Sequence, residues 1–250
     1  MTTISEIAPD IYRLSTYVEQ MNLQFNQFLV NDDEPLLFHT GMKALFPDVK
    51  AALSRVIKPS KLRWISFSHF EADECGALSD WQRVAPRATA LCTLIGKHTS
   101  VDDVVALREA NAMQQDEVLS TGHHRFRFLQ TPHVPHGWDS SMFYEEQSGT
   151  LFCSDILYHK GNVAALATGG EIMQRFQDSM RGDQLTPWAH AYPCSDDTRA
   201  TYRRLADLDP QVLAIMHGSA HSGSSRQLLM DYAAALEEFA APGMPAAIAA

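Results

Sequence analysis

One junction constrains this chain more than any other. The apolar segment Trp64-Ile65-Ser66-Phe67-Ser68 runs straight into His69-Phe70-Glu71-Ala72-Asp73. The first half reads as a buried strand, so the second half must be a loop at that strand's carboxyl end, where polar groups are tolerated. In an extended or loosely coiled loop, residues at i, i+2 and i+4 project to one side, which brings an imidazole and two carboxylates together. That is a candidate metal site. One nitrogen donor beside two hard oxygen donors suits iron or manganese better than a histidine-rich cluster, which leans towards zinc.

With 250 residues, 45% of them hydrophobic, the chain can bury a large core, and it reads as one domain over residues 1–250. No continuous apolar run is long enough to span a bilayer, and residues 1–10 lack the basic start and apolar core of a signal peptide. A soluble cytoplasmic protein without a membrane partner is expected. Cys75, Cys92, Cys153 and Cys194 are scattered with no CxxC pair, which points to reduced thiols rather than disulfides or a zinc ribbon. Thirty acidic residues against 20 basic ones give a net charge of -10, which opposes binding to nucleic acid.

The hydrophobic pattern alternates between strand and helix, an α/β arrangement with a strand-rich start. Strands are expected at 11–15, 24–30 and 35–40, with a hairpin turn at 31–35, and a helix at 47–57 that stops before Pro59. After the donor loop come a helix at 75–84, a strand at 89–93 and a helix starting at Ser100 with a capping-box carboxylate at Asp103. The second half repeats the scheme. Strands are expected at 125–129, 141–145, 150–153 and 212–216, and helices at 198–208 and 224–239. Residues 158–187 read as an insertion over the site mouth, and 240–250 as a frayed tail.

Further donors fall at the ends of later strands. His136 follows Thr131-Pro132-His133-Val134-Pro135, Asp155 ends Leu151-Phe152-Cys153-Ser154-Asp155, and His217-Gly218 ends Val212-Leu213-Ala214-Ile215-Met216. Loops at one set of strand ends are where such sheets collect ligands. His133 reads as a packing histidine ahead of a ligand or a group that orients one, and His39 and His221 could line the pocket or orient ligands through a ring nitrogen. His123-His124 reads as an exposed turn.

The order His-x-Glu-x-Asp, His, Asp, His-Gly resembles the metallo-β-lactamase-fold domain of flavodiiron proteins and of related oxygen-binding di-iron proteins. The likeness covers nearly the whole chain, through His69 to Asp73, His136 to Ser140, Leu151 to Asp155 and His217-Gly218. It implies an αββα sandwich. It also implies that His69, Glu71 and His136 hold one iron, that Asp73 and His217 hold the other, and that Asp155 bridges them. Zinc hydrolases of the same superfamily usually carry a histidine where Glu71 stands. The chain departs from the pattern after Asp73, where most such proteins have a histidine ligand and this one has Glu74, itself a candidate ligand.

Two functional classes follow. In the first, two iron ions bind or react with O2, for binding and sensing or for reduction of O2 or NO. The flavodoxin domain of flavodiiron enzymes has no counterpart by residue 250, so reduction would need a separate redox partner. The resemblance leaves a homodimer open. In the second, zinc or manganese generates hydroxide for hydrolysis of an ester, lactone or phosphoester, with Glu74 as proton acceptor and no GxSxG nucleophile.

Overall fold

The structure is a computed structural model, and it describes residues 1–168, 170–184 and 186–240. Two seven-stranded sheets form its centre. The first comprises β1 (Thr2–Ala8), β2 (Ile11–Val18), β3 (Leu23–Val30), β4 (Leu36–Phe38), β5 (Trp64–Ser66), β6 (Thr89–Cys92) and β7 (Asn111–Ala112), in that spatial order. The second comprises β8 (Val118–Ser120), β9 (Arg125–Gln130), β10 (Ser141–Glu145), β11 (Thr150–Ser154), β12 (Leu166–Ala167), β13 (Val212–Ile215) and β14 (Ala220–Ser222). Its order is β12-β14-β13-β11-β10-β9-β8.

Strand direction explains why the donors share one edge. β4, β5 and β6 are parallel neighbours. In the second sheet β9 and β11 each run antiparallel to β10, and β13 runs parallel to β11, so all three deliver their carboxyl ends to the same side.

A layer of phenylalanines holds the sheets face to face. Phe28 and Phe38 of the first sheet meet Phe126, Phe128, Phe143 and Phe152 of the second in one buried cluster. The Phe152 ring lies 5.2 Å from Phe38 and 5.7 Å from Phe28, in the edge-on and tilted packing that aromatic quadrupoles favour. Helices cover the outer faces. α1 (Phe46–Leu53), the single turn α2 (Ala72–Cys75) and α3 (Leu78–Val84) pack on the first sheet through Val49, Leu53, Cys75, Leu78 and Trp81. On the second, α5 (Glu171–Asp183), α6 (Asp196–Asp207) and α7 (Arg226–Ala240) bury Phe176, Leu205 and Leu229. The layering is αββα, as the resemblance implied.

Several local expectations change. β1 was not anticipated, because its sequence is mostly polar and only an edge position and pairing with β2 make it a strand. The helix expected from Ser100 begins earlier, with α4 (Leu94–Gly96) continuing into a π-helical stretch, Lys97–Val105. Its cap is Thr93, whose hydroxyl accepts from the Gly96 N–H. Only part of the segment 158–187, expected over the mouth, lies near the site: Tyr158 stacks on Tyr192 beside His136. Its main element, α5, buries Ile172, Phe176 and Met180 in the helix layer beside α7. The frayed tail, beyond Ala240, lies outside the described residues. Cys75, Cys92, Cys153 and Cys194 are free thiols, as expected. Among the described residues no helix is long and apolar enough to cross a membrane.

His124, expected in an exposed turn, is buried and sits 3.2 Å from the buried Glu145 carboxylate. Its hydrogen bond to Glu145 raises the imidazole pKa above 6.5 against the opposing effect of burial. Burial would raise Glu145, but His124 and Ser148 outweigh it and hold the carboxyl down at about 2. The imidazolium contribution is complete below about 6.5 and fades as pH rises through the folded-state value. The carboxylate contribution is complete above about 4.5 and fades as pH falls. The pair is therefore strongest in the weakly acidic window between. His124→Ala should lower Tm more at pH 5.5 than at pH 9, and an equal loss at both would contradict the ion pair. Phe152→Ala should cost about 3–5 kcal/mol in denaturant unfolding, through the cavity left between the sheets.

Candidate metal centre

The donor loop begins extended and ends helical. Glu71 has φ -136° and ψ 161°, and α2 starts at the next residue. His69 and Glu71 therefore turn to one side, while Asp73, on the helical turn, is carried to another. The three donors do not converge on a single point as the i, i+2, i+4 reading expected.

They divide between two clusters that share Asp155. In the first, His136 Nε2 is 3.1 Å from Glu71 Oε1 and 3.6 Å from Asp155 Oδ2. His69 Nε2 is 3.7 Å from Glu71 Oε1 and 3.8 Å from Asp155 Oδ2. In the second, His217 Nε2 is 3.3 Å from Asp73 Oδ2 and 3.3 Å from Asp155 Oδ1. The two oxygens of Asp155 thus face different imidazoles. Six of the seven residues singled out from the sequence come together in this way.

Glu74 is the seventh, and it faces elsewhere. Successive residues on a helical turn diverge by about 100°, so Asp73 reaches the mouth while Glu74 points inward. Its side chain is 1% exposed. Its Oε2 lies 2.7 Å from His39 Nε2 and accepts from the Ser68 N–H at 3.3 Å, and its Oε1 accepts from the Ser154 hydroxyl at 2.9 Å. Burial would raise this carboxyl, but His39 and His69 hold it below the usual range.

Neighbouring groups fix the rings. His217 Nδ1 lies 2.8 Å from the Gln24 carbonyl, which can only accept, so this nitrogen carries the proton and Nε2 is turned to the carboxylates. The Gly218 carbonyl beside it accepts from Arg13 Nη2 at 2.7 Å and Asn26 Nδ2 at 2.9 Å, tying the loop after β13 to the first sheet. Burial holds the Arg13 guanidinium down at about 10. Asp139, in the loop that carries His136, accepts from the Phe70 N–H at 2.9 Å and so pins the two donor loops together. His133 is exposed and His221 is buried on β14.

The arrangement fits a bound cation. Carboxylate oxygens and imidazole nitrogens crowd together at 3.1–3.8 Å, close to the roughly 3–3.5 Å that separates ligands when each bond to a shared ion is about 2.0–2.2 Å. Buried His69 Nε2 and Asp155 Oδ1 have no hydrogen-bond partner among the described residues. The local field demands positive charge. Burial alone would lower the His69 pKa, yet Glu74, Glu71 and Asp155 push it up to about 10. Asp155 and Asp73 overcome burial in the same way and hold His217 well above 6.5.

An αββα sandwich with this donor set at its strand ends defines a metallo-β-lactamase-type metal domain. Residues 23–218 match the family described as "ODP family beta lactamase", and the chain belongs to that family. A coenzyme F420H2 oxidase of Methanothermobacter marburgensis is 28% identical over 138 residues, which cover 52% of this chain and 34% of that protein. The chain thus spans about a third of that relative's length. The rubredoxin:oxygen oxidoreductase of Desulfovibrio gigas superposes with a TM-score of 0.79 at 18% identity, covering 94% of this chain and 62% of the other. A fragment of a diflavin flavoprotein from Nostoc sp. gives a TM-score of 0.78 at 16% identity, covering 95% of this chain and 96% of the fragment. The core shares the flavodiiron fold.

His39 was among the histidines expected to orient ligands, but the sequence did not reveal the other residues that do so: Ser68, Ser154, Arg13, Gln24 and Asn26. No spacing links them, because they meet only across strands and sheets. Gly218 offers a test of this support. Its φ is +100°, and an added Cβ would meet His159 Nε2 at 2.3 Å. That nitrogen already accepts from the Ser219 N–H at 2.9 Å, on a ring that burial holds at about 4. Gly218→Ala should cost more than about 2 kcal/mol through strain and overpacking. It should also weaken metal binding at His217, measured by metal retained after gel filtration; parental stability would contradict the close packing.

Proposed function

We propose that the chain is a non-haem di-iron domain that binds or reacts with O2. His69, Glu71 and His136 would hold one iron, Asp73 and His217 the other, with Asp155 bridging. The observation that carries this reading is the Asp155 carboxylate, whose two oxygens face the imidazoles of two separate clusters. Two imidazoles with carboxylates at the first cluster resemble the donor sets that hold ferrous iron in oxygen-using enzymes. The names of the M. marburgensis oxidase and the D. gigas oxygen oxidoreductase agree with this chemistry for those proteins.

When bound, an iron pair would supply electrons to O2 or NO. The protein's part is to hold the donors and control access. Gln24 and the Asp139 loop keep the imidazoles and carboxylates in register, so little reorganisation is needed when charge changes. Tyr192 sits edge-on to His136 at 5.8 Å and stacks on Tyr158 at 5.7 Å, giving the first cluster an aromatic wall against water. Sustained reduction would draw on a separate electron donor, whereas reversible binding or sensing would need none. The hydrolytic alternative with zinc or manganese is less well served, because Glu74, its proton acceptor, is buried and engaged by His39, Ser68 and Ser154.

The experiment is to express the protein with iron, purify it without oxygen, count metals and record absorption before and after admitting air. Near two irons per chain and a new near-ultraviolet and visible band are expected, with O2 uptake continuing only if a reductant is supplied. Zinc without a spectral change, together with ester or phosphoester cleavage, would overturn the reading.

A further inference from the structure

The interior face of the donor loop carries a hydrogen-bonded chain that ends on the inner ring nitrogen of His69. Glu74 Oε1 accepts from Ser154 Oγ at 2.9 Å. Ser154 Oγ accepts from Ser68 Oγ at 2.6 Å. Ser68 Oγ lies 2.8 Å from His69 Nδ1. A hydroxyl has one proton to give, and that of Ser68 is committed to Ser154, so Ser68 receives the Nδ1 proton of His69. The opposite end is closed by His39 Nε2 on Glu74 Oε2 at 2.7 Å, and by the Ser68 N–H on the same oxygen. His39, Ser68, Ser154 and Glu74 are each at most 1% exposed, so water does not compete for these contacts.

Direction is the important property of this chain. A carboxylate acceptor at one end sets the sense of every hydroxyl, and the last proton falls on Nδ1 of His69. Nε2, the atom facing Glu71 and Asp155, is then the nitrogen left to give up its proton and bind an incoming cation. Resting on the metal reading above, we propose that Glu74 is a positioning residue for the first cluster, acting through Ser154 and Ser68 on His69, and not a ligand of the second. The second cluster is then left with three protein donors, Asp73, Asp155 and His217, against four in the first. The two metals should bind with unequal affinity, the first more tightly.

The test is a titration of metal-free protein with Fe2+ under argon by calorimetry, with metal counted per chain after desalting. The parent should show a tight and a weaker binding event. Ser154→Ala, which removes only one hydroxyl, and Glu74→Gln should each weaken the tight event by about 10–100-fold, the usual effect of losing a group that orients a ligand, and leave two metals at saturation. Asp73→Asn should abolish the weaker event alone. Loss of one metal in Glu74→Gln with the tight event unchanged would make Glu74 a ligand and overturn the proposal. Parental affinities in both Ser154→Ala and Glu74→Gln would overturn it too. A parent protein that binds two equal metals refutes the inequality and leaves the di-iron reading standing, whereas one that binds none refutes both.

Discussion

The phenylalanine layer between the sheets is the constraint on which the site depends. His69, Glu71 and Asp73 belong to the first sheet's loops, and His136, Asp155 and His217 to the second's. Neither sheet alone holds either cluster. Only when Phe28 and Phe38 pack against Phe126, Phe143 and Phe152 do the two sets of strand ends share a mouth. Aromatic packing near the middle of the sandwich therefore sets distances of a few ångströms at its rim. Because interiors are close-packed, a change of one ring in this layer is transmitted rather than absorbed.

Nearer the rim the packing gives way to polar contacts between the sheets. Arg13 and Asn26 hold the Gly218 carbonyl, Gln24 orients His217, and Ser68 meets Ser154 across the interface. Buried polar groups are costly unless satisfied. These contacts pair most of the polar atoms involved, Arg13 Nε and Asn26 Oδ1 excepted, and fix ring orientations that apolar contacts would leave free. The carboxylates of the cluster crowd together at some electrostatic expense, which a bound cation would offset.

The sequence was informative where donors follow apolar runs. The loop after Ser68, and the ends of β11 and β13, announced themselves because a strand core cannot accept His or Asp and a strand end can. It was uninformative where the fold turns a residue by local geometry. Asp73 and Glu74 are adjacent and chemically alike, and only the helical turn of α2 sends one to the mouth and the other to His39. Likewise β1 carries too few apolar residues to signal a strand, and the serines that link His69 to Glu74 lie 86 positions apart in the chain. Such long-range polar pairing has no periodicity to read.

The proposed function turns on Asp155 standing between two metals. Its most direct test is a crystal structure of protein loaded anaerobically with iron, with anomalous diffraction recorded at the iron edge. Two peaks flanking the Asp155 carboxylate are expected, one among His69, Glu71 and His136 and a second, of lower occupancy, between Asp73 and His217. Peaks absent from that carboxylate, or a metal bound to Glu74, would contradict it.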